Sequence, residues 1–158
     1  MRIALAGTGP LGAALLSALL DSTHEVTALL RNGRAATAFQ RLVLPRLASA
    51  FAPESSLLGM ARRAKIPSFY IDAMDEPELA PLRPLGLELI LVGGFSVIFK
   101  KPLLELPAIG CVNCHSSLLP KHRGPNPFTA VLLAGDAHSG VTFHVMTEGI
   151  DSGDILFQ

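Results

Sequence analysis

The sequence predicts an α/β protein with a Rossmann-like, doubly wound, mostly parallel sheet. Three observations carry that prediction. The chain opens on an apolar strand, a glycine-rich turn, a helix and a second strand. Residues 87–92 (LELILV) form a strongly apolar run, as expected of a parallel strand covered on both faces. Strand-like and helix-like segments then alternate along the chain. No repeat, low-complexity linker or composition break interrupts them, so 1–158 reads as one domain around one core.

Taken in order, residues 1–6 (MRIALA) form the first strand and 7–12 (GTGPLG) the turn. Residues 13–20, small and leucine-rich, form a helix, and 25–30 (EVTALL) the second strand. Residues 34–64 favour helix but are broken at Pro45 and Pro53, which predicts a loop with one or two short helices. Residues 67–71 are a short strand. Residues 75–79 begin an acidic helix or turn that Pro81 and Pro84 end. After 87–92, Gly93 and Gly94 turn the chain; 102–106 is a short helix stopped by Pro107. Residues 111–115 (CVNCH) form the next strand. Residues 118–127 are a loop carrying Pro120, Gly124, Pro125 and Pro127. A helix over 128–134, an alternating strand over 140–146, a turn over 148–154 and a strand start at 155–158 complete the chain.

Composition excludes several function classes. Lys+Arg and Asp+Glu balance at 13 each, so no net charge draws the chain to nucleic acid or an anionic membrane. With 49% hydrophobic and 16% charged residues the chain is globular. Two cysteines make no disulfide framework and fit a reducing compartment. The apolar N-terminus is interrupted by Gly7, Gly9, Pro10 and Gly12, and no small-x-small cleavage site closes the run before Asp21. It therefore reads as a fold element, with no membrane association, and the expected location is the cytoplasm.

Three motifs compete for the chemistry. Gly7-x-Gly9-x-x-Gly12 has the dinucleotide pattern in the right strand–turn–helix context. The acidic residue expected after the second strand is replaced by Arg31 and Arg34, which suits a 2′-phosphate and an NADP-dependent oxidoreductase. The plainer reading is a tight turn that needs glycine for packing. Cys111-x-x-Cys114-His115 matches a haem-attachment spacing. Haem, however, requires export and a second axial ligand, a zinc site requires further ligands, and a redox pair sits on a loop opening a helix. Along a strand the two cysteines point to opposite faces, as small buried hydrophobes do. No metal and no haem is expected.

Asn113 and His115, two apart on the same strand, share a face at its carboxyl end, where open α/β sheets build their sites. A carboxamide donor can hold an oxyanion and an imidazole can move a proton near neutral pH, a pairing suited to acyl transfer. Asp151, in the turn GIDSGD, can orient His115, favour its charged form or hold a proton-relaying water. His122, His138 and His144 have no partner legible in the sequence and are expected to be structural or solvent-facing.

Asn113-x-His115, then Ser117-Leu118-Leu119-Pro120, Arg123-Gly124, and Gly149-Ile150-Asp151-Ser152-Gly153-Asp154, resemble the formyltransferase family in order and spacing, over the whole chain. That family includes methionyl-tRNA, glycinamide ribonucleotide and sugar N-formyltransferases and formyltetrahydrofolate deformylases. The resemblance implies a methionyl-tRNA-formyltransferase-like catalytic domain over 1–158 that takes a formyl group from 10-formyltetrahydrofolate to an acceptor amine. It implies Asn113, His115 and Asp151 as catalytic residues. It implies Ser117, Leu118, Leu119 and Pro120 as the folate-contacting loop, with a cis peptide before Pro120. It implies Ser96, Val97, Ile98, Phe99, Leu103 and Leu104 as the pterin-pocket segment. Members usually continue with more strand and helix, and those acting on tRNA add a carboxyl-terminal barrel domain; ending at Gln158, the chain is expected to be a C-terminally short domain with no second domain. The tRNA-acting members also carry a basic insertion after the second strand, whereas residues 35–51 hold only Arg41 and Arg46 and are largely apolar. tRNA is thus a partner the resemblance allows and this segment argues against. A homodimer is expected to cover apolar surface that missing elements leave bare. A folate-binding domain without catalysis is the remaining alternative.

Overall fold

The computed structural model describes residues 1–33 and 56–158; Arg34, Arg41, Arg46, Pro45 and Pro53 lie outside them. The strands are β1 (Arg2–Gly7), β2 (Glu25–Asn32), β3 (Ser68–Ile71), β4 (Leu89–Gly93), β5 (Gly110–His115), β6 (Thr142–Val145) and β7 (Ile155–Phe157). The helices are α1 (Gly9–Leu20), α2 (Leu57–Arg63), α3 (Glu76–Leu79), α4 (Lys101–Leu104) and α5 (Pro127–Ala134). One sheet runs β3-β2-β1-β4-β5-β6-β7. The first five of these strands pair in parallel. β6, reached from β5 through a loop and α5, and β7, reached through the turn after Val145, are added antiparallel. The predicted doubly wound, mostly parallel sheet is therefore present.

Strand alternation explains the two covered faces. Ile3, Leu5 and Leu29 face α1 and α2, packing with Leu16, Leu19 and Ala61. Ala4, Ala6, Leu30, Ile90, Val92 and Cys111 face the other way, against Leu79, Leu82, Phe99 and Leu103. A fully buried leucine of this kind contributes about 1.5–3 kcal/mol. Ser56 caps α2 by accepting from the Gly59 N–H at 3.2 Å, and Asp75 caps α3 by accepting from the Glu78 N–H at 3.3 Å.

α1 begins at Gly9, four residues before the predicted start at 13, so only Thr8 is left between β1 and α1. Pro10 reads as a turn residue but suits the first helical turn, where no N–H partner is needed. The glycines have a packing reason. A Cβ on Gly7 would stand 3.1 Å from both Gly12 Cα and the Gly93 carbonyl oxygen, and Gly9 holds φ +60. Arg31, the other part of the dinucleotide reading, donates to the Tyr70 hydroxyl at 3.1 Å and stacks 5.0 Å from that ring's centre. The motif is thus accounted for by helix–strand contact and a local Arg–Tyr pair.

Phe128, Leu132 and Leu133 of α5 and Leu156 and Phe157 of β7 are exposed. No helix among the described residues is long and apolar enough to cross a membrane.

Candidate active site

β5 presents Cys111, Asn113 and His115 on one face. Cys111 packs in the core with Phe99 and Leu103, and its Sγ lies 3.8 Å from the Leu103 carbonyl oxygen. The residues 95–104 therefore cover the same sheet face as the Asn113–His115 pair, one step down the strand. Antiparallel pairing sets His144 opposite Asn113 and Thr142 opposite His115, so these also share that face.

Cys114 points the other way and is equally buried. Burial pushes the Cys111 thiol up to about 12 and raises that of Cys114. A thiol reagent at pH 7.5 should leave both unmodified in the folded protein and label both after denaturation. Rapid labelling of native protein would contradict their role as packing residues.

Asp151 arrives from the turn between β6 and β7, with φ +45, an unfavourable region for a residue other than glycine. The Val145 N–H to Asp154 carbonyl hydrogen bond, 2.9 Å, closes this turn. It fits because residue 153 is glycine: a Cβ there would lie 1.9 Å from the Val145 carbonyl oxygen. Gly153→Ala should cost about 1–3 kcal/mol in chemical denaturation. Unchanged stability would show that the turn has room for a side chain.

The Asp151 carboxylate is the hub of the site. Oδ2 accepts from the Gly124 N–H at 2.8 Å and faces His115 Nδ1 at 3.5 Å. Oδ1 accepts from Asn113 Nδ2 at 3.3 Å and faces His144 Nε2 at 3.5 Å. Burial works against charge on Asp151. The His144 hydrogen bond, the Gly124 N–H and the charges of His115 and His144 outweigh it, holding the carboxyl below its ordinary range.

Each histidine is oriented by a carbonyl. His115 Nε2 donates to the His122 carbonyl at 2.9 Å, since a carbonyl only accepts; its Nδ1 is thereby the atom turned to Asp151. His144 Nδ1 donates to the Val145 carbonyl at 2.9 Å, leaving Nε2 to meet Asn113 Nδ2 at 3.2 Å. The Asp151 carboxylate as hydrogen-bond partner raises the His144 pKa, against burial; the Val145 carbonyl and the Asp151 charge add to it.

The structure thus brings Asn113, His115 and Asp151 together, and adds two residues that sequence reasoning left aside. His144, expected to be structural or solvent-facing, is 2% exposed and touches both Asn113 and Asp151. His122, also without a legible partner, meets Asp136 Oδ2 at 2.7 Å. A usable signal for His144 was the alternation of the strand, which puts the polar Thr142 and His144 on one side.

The ten residues of the two folate segments are placed unequally. Ser96, Ile98, Leu118 and Pro120 are exposed, and Val97 and Leu104 half-buried. Phe99 and Leu103 are core residues, Leu119 is buried, and Ser117 is fully covered with its hydroxyl donating to the Lys121 carbonyl at 2.7 Å. The Leu119–Pro120 peptide is cis. Thr142 braces this loop, donating to the Ser117 carbonyl at 2.7 Å and accepting from the Leu119 N–H at 3.1 Å. Leu118, Leu119 and Pro120 line a cavity of about 260 Å³ with His122, Val131 and Asp136. A second cavity, about 470 Å³, opens at the β1 turn beside Gly7, Thr8, Pro10 and Arg31. Neither cavity is lined by residues 96–104, so the two folate segments do not meet in one of them.

The sequence model of the family described as Formyl transferase matches residues 1–158. A methionyl-tRNA formyltransferase of Pseudomonas paraeruginosa is 35% identical over 158 residues, which is 100% of this chain and 48% of that protein. The chain thus spans about half the length of the curated relatives it matches. Glycinamide ribonucleotide transformylase 1 from Geobacillus kaustophilus has the same fold, with a TM-score of 0.73 at 20% identity over 99% of this chain and 80% of that one. WlaRD, a sugar 3N-formyl transferase whose crystal structure was determined in the presence of dTDP and 5-N-formyl-THF, gives 0.63 at 21% identity over 98% and 49%. The family match runs from the first residue to the last over a sheet these proteins share, and the chain belongs to the formyl transferase family.

Proposed function

We propose that the chain transfers a formyl group from 10-formyltetrahydrofolate to an acceptor amine, with Asn113, His115 and Asp151 carrying the step. One observation carries this reading: the carboxamide, the imidazole and a backbone N–H all converge on a single buried-side carboxylate at the carboxyl end of β5. Family membership and the 35% identical methionyl-tRNA formyltransferase support it.

The residues present fit a formylated folate. Ile98, Leu118 and Pro120, exposed, and Val97 and Leu104, half-buried, offer apolar surface to a flat ring, and Ser96 offers a hydroxyl; these are the residues that would hold it. The folate supplies an activated formyl group. Asn113 has two amide hydrogens; one is directed at Asp151, and the other is free to turn to the formyl oxygen as negative charge develops there. His115, fixed between the His122 carbonyl and Asp151, sets its ring beside the same oxygen. Asp151 takes the proton of the attacking amine and passes it toward the departing nitrogen, so that one C–N bond forms as the other breaks. His144 holds the second carboxylate oxygen in place. The free, buried thiols support a reducing compartment and hence the cytoplasm.

The test is incubation with 10-formyltetrahydrofolate and a panel of amines: methionyl-tRNA, glycinamide ribonucleotide and a dTDP-linked amino sugar. One product is expected to gain a formyl group by mass. Consumption of the donor without any amine product would identify a deformylase instead. Tight binding of a folate analogue with no turnover would leave a binding domain.

A further inference from the structure

His122 joins the site to its surroundings in two directions. Its carbonyl holds His115 Nε2 at 2.9 Å, while its own Nε2 meets Asp136 Oδ2 at 2.7 Å. The residue holds φ +55, a conformation that L side chains rarely adopt. Two residues on, the Gly124 N–H bonds Asp151 Oδ2 at 2.8 Å. The short span from His122 to Gly124 thus provides one backbone contact to His115 and one to Asp151.

That span is tied down from α5. Asp136 follows the end of α5 and its own N–H bonds the Val131 carbonyl at 3.3 Å. Its carboxylate takes the His122 ring and, at 3.7 Å, the Lys121 ammonium. The His122 side chain is 16% exposed and the Lys121 side chain 69%, so the histidine tie is the sheltered one and the lysine tie is a surface pair of small effect. The His122 hydrogen bond holds the Asp136 carboxyl below its usual range.

We propose that His122 and Asp136 are positioning residues: the pair clamps the span from His122 to Gly124, and so sets the orientation of the His115 ring and of the Asp151 carboxylate. This rests on the reading of His115 and Asp151 as the chemical groups of the site. It assigns a role to a pair whose side chains bond each other and act on His115 and Asp151 through the backbone, in the manner of outer-shell partners that orient a working histidine.

The test uses the full chain with ¹⁵N-labelled histidine, following exchange of the His115 Nε2 proton by NMR. Asp136→Ala is expected to speed that exchange about tenfold and to lower kcat about tenfold with little change in KM. His122→Asn, which tolerates the left-handed backbone, should do the same. Asp136→Asn keeps an oxygen acceptor and should restore most of the protection, and Lys121→Ala should leave it as in the parent protein. His115 exchange that is unchanged in folded Asp136→Ala and His122→Asn overturns the clamp, whatever the activity. A parent protein that transfers no formyl group overturns the reading of the site instead, and the exchange data still decide the clamp.

Discussion

Replacing His115 by Gln is expected to lower the rate of formyl transfer by about 10²–10⁴-fold while the fold survives. The side chain is 6% exposed and both ring nitrogens face oxygens, the His122 carbonyl and the Asp151 carboxylate. Glutamine has similar reach and can bond one of these oxygens, yet it carries neither charge nor a transferable proton. The effect should fall on kcat, with KM for the folate donor changing only a few-fold, because the histidine acts on charge that develops during transfer. A histidine buried merely for packing would behave differently: the variant would lose stability, and the folded fraction would keep its specific activity. Single-turnover kinetics beside urea denaturation separates the two cases.

Asp151→Asn is expected to lower activity and to reshape the pH dependence of stability. The Asp151 carboxyl is depressed in the folded state. It therefore contributes stability that is present above the unfolded value of about 3.9 and lost as pH falls through the lower folded value. His144 is raised. Its contribution is fully present below the unfolded value of about 6.5 and lost as pH rises through the raised folded value. Both contributions coexist between those two unfolded values, so the difference in stability between the parent protein and Asp151→Asn should be largest there. It should shrink toward acid as the carboxyl protonates, and toward alkali as His144 loses its charge. The asparagine also faces Gly124, His115 and His144 without a charge to hold them, so transfer should fall in parallel with the His115 variant. A difference in stability that is flat with pH would show that the carboxylate is not coupled to His144.

Much of this site is legible in the sequence, and the parts that are not have a common cause. Strand parity alone puts Asn113 and His115 together and separates Cys111 from Cys114. The turn around Asp151 is marked by its glycines, although the need for Gly153 becomes clear only when the turn is seen folded onto the Val145 carbonyl. His144 is not legible as a site residue because its place opposite Asn113 depends on the register of an antiparallel pair, which no local pattern specifies. The His122–Asp136 pair is not legible because it joins a loop to the end of a helix, and loop geometry follows from bonds such as Ser117 to Lys121 rather than from periodicity. In the fold, α1 starts earlier than its local pattern implies, because Gly9 and Pro10 signal a turn locally whereas close contact between Gly7 and Gly12 packs the helix start onto β1. The apolar character of residues 96–104 was evident, but which of them belong to the core, as Phe99 and Leu103 do, depended on packing across β5.

The groups gathered on Asp151 are expected to remove the formyl group from a folate donor. The most direct measurement of this is the consumption of 10-formyltetrahydrofolate, followed by absorbance with a competent amine, for the parent protein and Asn113→Ala side by side. The expected result is turnover by the parent protein and a rate about 10²–10³-fold lower in the variant, the cost of removing one oxyanion donor. Equal rates in the two proteins, or no consumption by either, would contradict it.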